Sequence, residues 1–132
     1  MPMIDWVAVV VAAVAAYGVG AIWYSPLLFT KAWIRESGVD VERAKNSSMP
    51  LMMGSSFVLV LLATLVFAFF LGPGIGWQNG TLYGFSAGLF WVTGYLGVNY
   101  LFEGRSFKLF LINGGYNVAS FTVMGAILGA MS

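Results

Sequence analysis

Residues 99–117, NYLFEGRSFKLFLINGGYN, hold the densest set of side chains able to do chemistry. Glu103, Arg105 and Lys108 fall within six positions and are followed by Asn113 and Asn117. A carboxylate beside two cations is the raw material of an acid–base centre. Two amides four residues apart on a helix are the raw material of a polar pocket or path. For Glu103 to act as a base it needs a partner of matched pKa within reach, and the sequence offers none. These three charges therefore read as interfacial. Arg105 and Lys108 can meet anionic lipid headgroups, at about 1 kcal/mol each near the surface. An exposed pair involving Glu103 is worth about 0–1 kcal/mol. No residue is assigned a catalytic role.

The elements around these residues follow from composition. The chain has 132 residues, 60% hydrophobic and 8% charged. A soluble domain carries about a quarter charged residues, so this chain lacks the polar side chains to cover a water-facing surface. It has no cysteine and no histidine. That removes disulfides, thiol chemistry, the usual base near neutral pH and the commonest metal ligand. No metal site, cofactor or nucleic-acid partner is expected; a net charge of +1 gives no basic face for a polyanion. Neither a Walker-type glycine loop nor an H-E-x-x-H pair is present.

Four apolar runs are long enough for membrane helices, which need about 20 residues. They cover about 3–29, 50–71, 80–102 and 107–131. The stretch FVLVLLATLVFAFFL is apolar on every side and does not alternate, which excludes a barrel strand. The start, MPMIDW, carries an acid and no base, unlike a cleaved signal. The expectation is an all-α membrane protein: a single domain over 1–132, with four transmembrane helices in two antiparallel hairpins. Proline after Ser48 and Met49 marks a helix start, and Gly72-Pro73-Gly74 marks a stop. The connection 30–49 holds most of the charge, with Trp33 and Ile34 suited to an interfacial helical turn.

Basic residues orient the spans. Lys31, Arg35, Arg43 and Lys45 follow the first, and Arg105 and Lys108 follow the third. The other connection and both ends have none, so both termini are expected on the non-cytoplasmic side. Trp6 and Trp77 then suit the outer interface and Trp33 the inner one. Asp5 can cap the first helix. Tyr24, Ser25 and Pro26 lie where that helix reaches the inner interface, with Trp23 and Tyr24 as anchors.

Small residues let membrane helices approach closely. Gly80, Gly84 and Gly88 recur every four residues, and at 100° per residue Trp91, Tyr95 and Asn99 share their side. A second ridge runs through Ala8, Ala12, Ala16 and Gly20. Asn113, Asn117, Ser120 and Met124 share one face of the last helix, flanked by Tyr116. An amide facing lipid is costly, so Asn99, Asn113, Tyr116, Asn117 and Ser120 are expected in the interior, as interhelical links or as a ligand site. A faint internal echo aligns Tyr24 with Tyr100 and Gly18 with Gly94.

GAIWYSPLLFTKAW (20–33), NYLFEGRSFKLFLINGGYN (99–117) and MGAILG (124–129) carry a resemblance over nearly the whole chain. In them the sequence resembles the bacterial membrane family catalogued as domain of unknown function 1761. The resemblance implies a small multi-pass membrane protein, with no established activity to transfer. Members of that family often carry histidine at the position of Asn117.

The expected protein is a non-enzymatic module of the bacterial inner membrane. It packs as a homo-oligomer or as an accessory subunit of a larger membrane complex, with the lipid bilayer as its surroundings. The alternative is a small-solute or lipid transporter or channel with a polar site on the fourth helix. No span has an ionisable residue at its middle, which disfavours coupled transport. If the glycine ridge joins chains, Gly84→Leu is expected to lower the oligomer mass in detergent.

Overall fold

The structure of the chain is a computed structural model that describes residues 4–25, 28–39 and 49–131. Among these every regular element is helical. Helix α1 spans Trp6–Trp23, α2 Thr30–Ser37 and α3 Met49–Leu71. A helical stretch then runs as α4 (Gly76–Ser86), a π-helical segment (Ala87–Val92) and α5 (Thr93–Glu103). Helix α6 spans Phe107–Met131. Pro26, Arg43, Lys45 and Ser48, used in the sequence reading, lie outside the described residues.

Local chemistry sets the ends. Asp5 caps α1, its carboxylate accepting the N–H of Ala8 at 3.1 Å. After Trp23 the chain turns: Ser25 N–H donates to the carbonyl of Ile22, and the Thr30 hydroxyl donates to that of Tyr24. The first run thus ends at Trp23 rather than 29, and the connection begins with the separate helix α2. That helix stops at Gly38, where φ is 71°, a conformation glycine reaches without steric penalty. Gly72 and Gly104 end α3 and α5 in the same left-handed conformation. Ser106 caps α6 by accepting the N–H of Leu109 at 3.1 Å.

Three helices are long and apolar enough to cross a membrane: Trp6–Trp23, Pro50–Leu71 and Phe107–Met131. The four spans expected from sequence become three by this measure. The stretch expected over 80–102 is helical over 76–103, but the π segment divides it into α-helices of 11 residues each.

Helix α6 is the hub and touches every other described element. Its longest contact is with α4. A Cβ on Gly80 would strike the carbonyl oxygen of Gly125, and one on Gly84 that of Phe121. Reciprocally, a Cβ on Gly129 would strike the carbonyl of Gly76. At Gly88 the added atom would lie 3.0 Å from the carbonyl oxygen of Asn117. The two backbones touch along three turns. Ala8, Ala12 and Ala16 on α1 are fully buried in a core shared with Phe67, Ala87, Met124 and Leu128. Gly20 receives the ring of Tyr116. Helix α3 leans on α1 and touches α6 lightly, with Phe67 and Phe121 in edge contact at 5.5 Å.

The glycine ridge therefore joins helices within one chain, which changes what Gly84→Leu tests. No leucine, nor even a methyl group, fits between Gly84 and the backbone of Phe121. Gly84→Ala is expected to lower the melting temperature in detergent, by an overpacking cost of about 1–3 kcal/mol. Gly94, with nothing within 4 Å of its added Cβ, is the matched control. Gly94→Ala is expected to be neutral or stabilising, and equal losses at the two positions would refute the contact.

A candidate polar site where α1, α5 and α6 meet

The π segment decides which residues reach the interior. The N–H of Thr93 donates to the carbonyl of Gly88, five residues back instead of four. One inserted residue rotates everything after it by about 100°. The face that begins with Gly80, Gly84 and Gly88 continues through Thr93, Gly97 and Tyr100. Thr93 is buried against Gly114, and its hydroxyl donates to the Gly114 carbonyl at 3.2 Å. Gly97 accommodates the ring of Phe110. Trp91, Tyr95 and Asn99, expected on that inner face, are exposed instead. Asn99 does not join the polar interior because the uniform 100° count fails at the π segment.

Its place is taken by Tyr100. Asn113, on α6, accepts a hydrogen bond from the Tyr24 hydroxyl at 2.6 Å and donates from its amide nitrogen to the Tyr100 hydroxyl at 2.6 Å. One amide thus ties the end of α1 and the last turns of α5 to the first turns of α6. Beside it, the Trp23 indole N–H donates to the carbonyl of Ile112 at 2.8 Å, and its ring covers Gly115. The Tyr24 ring meets Tyr116 edge-on at 5.5 Å and Trp33 of α2 at 5.6 Å. Ser120 is buried, within hydrogen-bonding reach of Tyr116. Further along α1, the Tyr17 hydroxyl pairs with Ser56 of α3 at 2.7 Å.

Asn113, Tyr116 and Ser120 thus fall in this interior network. The side chain of Asn117 is half-buried and has no hydrogen-bond partner among the described residues, while its carbonyl abuts Gly88. Tyr17, Ser56, Thr93 and Tyr100 join the network without having been singled out as interior groups. The echo between Tyr24 and Tyr100 was the one sequence signal: both phenols converge on the same amide.

The charges lie apart. Glu103, Arg105 and Lys108 are exposed. Arg105 pairs with Glu103 at 3.3 Å, and its guanidinium also donates to the carbonyl of Ser37 at 3.0 Å, at the C-terminus of α2. A cation there favours the negative end of the helix dipole. Among the described residues no group of three His, Cys, Asp or Glu side chains could hold a metal ion.

The hydrogen bonds of the amide network join three helices and orient their side chains. A groove of about 600 Å³ runs along the α4–α6 seam past Phe85, Leu89, Val118 and Thr122. A smaller cleft, about 270 Å³, sits at the α5–α6 turn beside Tyr100, Arg105 and Phe110. Neither is lined by Asn113 or Asn117.

Residues 7–129 match the family described as "Protein of unknown function (DUF1761)". The chain belongs to that family. No curated protein and no solved structure matches it. In this DUF1761 chain the residues of the second sequence motif, Asn99 to Asn117, supply the α5–α6 turn and the Asn113 bridge.

If Asn113 is a structural link, removing either side of it should cost stability in a coupled way. Tyr24→Phe and Asn113→Ala are each expected to lower stability by about 0.6–1.7 kcal/mol, between the average and the largest values measured for hydrogen bonds between membrane helices. In a double-mutant cycle read by thermal unfolding in detergent, the two losses should fall short of additivity. Full additivity would mean that the bond contributes nothing.

Proposed function

We propose that this chain is a four-span integral membrane protein of the bacterial inner membrane. Both termini lie outside, and it does no chemistry of its own. It works by association, as a homo-oligomer or as an accessory subunit of a larger membrane assembly. Support for lipid as its solvent comes from the surface: Leu59, Phe70, Leu101 and Phe102 are 68%, 76%, 84% and 90% exposed. A water-soluble monomer does not tolerate so broad an apolar cover. The helical stretch 76–103 is long enough for the fourth crossing despite its π segment, at about 1.5 Å per residue.

The observation that carries the association reading is the exposed face shared by the π segment and α5. Trp91 and Tyr95 are 66% and 73% exposed, and Asn99 lies one turn further on the same side. Side-chain amides facing lipid seek partners, and hydrogen bonds across helices are a driving force for association in bilayers. Two copies related by a two-fold axis would place Asn99 against Asn99 and satisfy both.

A second reading, passage or binding of a small solute or lipid on α6, is supported by the amide of Asn117, which has no hydrogen-bond partner among the described residues. It predicts loss of flux or ligand binding in Asn117→Ala with assembly intact.

The chain's lack of cysteine makes the association test clean. Asn99→Cys in native membranes is expected to form a disulfide-linked dimer on mild oxidation, whereas Leu59→Cys, on the outer face of α3, is not. Equal yields at both positions would count against self-association through α5. Copurification of Asn99→Cys cross-linked to a different protein would support the accessory-subunit form.

A further inference from the structure

The cleft at the α5–α6 turn has the chemistry of a phosphate subsite with an apolar floor. Gly97, Leu101, Phe107 and Phe110 give it walls, and the two phenylalanine rings stack with centroids 6.0 Å apart. Tyr100 and Arg105 bring polar donors to the same space. The Arg105 guanidinium is fixed rather than loose, held by Glu103 on one side and the Ser37 carbonyl on the other. Those two contacts use Nε and one terminal nitrogen, so the remaining donors of its five are free.

Tyr100 supplies a second donor by simple counting. Two phenols, Tyr24 and Tyr100, share the amide of Asn113. The amide oxygen takes one phenolic proton and the amide nitrogen gives its own to the other phenol. Among the described residues one phenolic proton is left without an acceptor, and with the amide oriented as it stands, that proton is on Tyr100. A half-buried phenolic donor at the edge of a cleft is placed to meet an acceptor that enters it. Lys108 stands exposed nearby on the first turn of α6, so Glu103, Arg105 and Lys108 together leave one positive charge. The position is also the right depth: α5 ends at Glu103 and α6 begins at Phe107, where apolar helices give way to polar connection.

We propose that this cleft binds an anionic phospholipid, its phosphate between Arg105 and the Tyr100 hydroxyl and its first acyl carbons against Phe107 and Phe110. The site rests on the membrane reading above. It takes one class of ligand: a phosphodiester with one net negative charge attached to a hydrocarbon chain. A zwitterionic lipid offers the same phosphate but adds a cation beside Arg105 and Lys108, which lowers its affinity. The lipid would stitch α2, α5 and α6 together at the membrane surface, because Arg105 already joins the last two to α2.

The test uses the full-length protein purified in detergent and exposed to an equimolar mixture of phosphatidylglycerol and phosphatidylcholine, with retained lipid read by native mass spectrometry. Wild type is expected to retain the anionic lipid about fivefold over the zwitterionic one. Arg105→Gln is expected to bring the ratio close to one, whereas Tyr100→Phe, which keeps the ring and removes only the donor to the shared phosphate, is expected to lower retention of both lipids and leave the ratio in place. Arg35→Gln, exposed on α2, should leave it unchanged. No preference in wild type, a preference untouched by Arg105→Gln, or retention of both lipids untouched by Tyr100→Phe, overturns the proposal. Displacement of the lipid by inorganic phosphate at matched concentration would assign the cleft to free phosphate and overturn it too. Carbonate washing of the membranes separates the two levels. A chain that stays in the washed membranes yet shows no lipid preference fails here alone, whereas one that washes off fails the membrane reading as well.

Discussion

The backbone contact between α4 and α6 is the constraint on which the rest of the structure depends. In lipid, apolar side chains gain little by leaving one hydrocarbon environment for another, so helices are held by close van der Waals fit and by hydrogen bonds. Gly80, Gly84, Gly125 and Gly129 reduce the separation until carbonyl groups of each helix meet Cα atoms of the other. Once α6 is fixed on α4, its remaining faces set the positions of everything else. Ala8, Ala12 and Ala16 let α1 settle on another side, and α3 is left with α1 as its main support. Removing the fit at one glycine therefore disturbs more than one pair.

The π segment is the second determinant, and it acts on the first. A glycine ridge continued at regular α-helical spacing would carry Trp91, Tyr95 and Asn99 onto α6. The extra residue between Gly88 and Thr93 sends those three outward and brings Thr93, Gly97 and Tyr100 in. Each newcomer has a matched partner: Thr93 the backbone of Gly114, Gly97 the ring of Phe110, Tyr100 the amide of Asn113. The three matches account for why the shifted register is the stable one. Large aromatic rings at Trp91 and Tyr95 would not fit so close to α6, whereas threonine and glycine do.

Much of this architecture is legible in the sequence, for reasons that can be named. The apolar runs at 50–71 and 107–131 correspond to α3 and α6 within a residue or two, because length and uniform hydrophobicity leave little else for them to be. Asp5 reads as a cap and is one. The glycine and alanine ridges read as sites of close approach, and they are, although four-residue spacing does not say whether the facing helix belongs to the same chain. Asn99 is where the reading failed. Ala87 to Val92, AGLFWV, has the composition of any apolar helix, and nothing in it announces an inserted residue. A face count carried across it is wrong by about 100° from then on, which exchanges Asn99 for its neighbour Tyr100. The end of the first run was misplaced for a different reason: Tyr24 to Phe29 is as apolar as a helix, but hydroxyls at Ser25 and Thr30 capture the freed carbonyls and turn the chain.

The fates of the asparagines follow from the same accounting of donors and acceptors. Asn113 is satisfied from both ends by phenols of two other helices, so its amide is spent on structure and is a poor candidate for a ligand. Asn99 and Asn117 have no side-chain hydrogen-bond partner among the described residues, and their surroundings differ. Asn99 stands on an open face among aromatic rings, a setting that another helix can cover. Asn117 is half-enclosed on the hub helix, one turn from the Asn113 bridge and against the last close glycine contact. Filling that position with a larger or charged group would press on the place where α4 gives way to the π segment. A change of size at Asn117 would then be felt at the register of α5, and through Tyr100 at Asn113. The Asn117 amide is thus coupled to the packing by geometry.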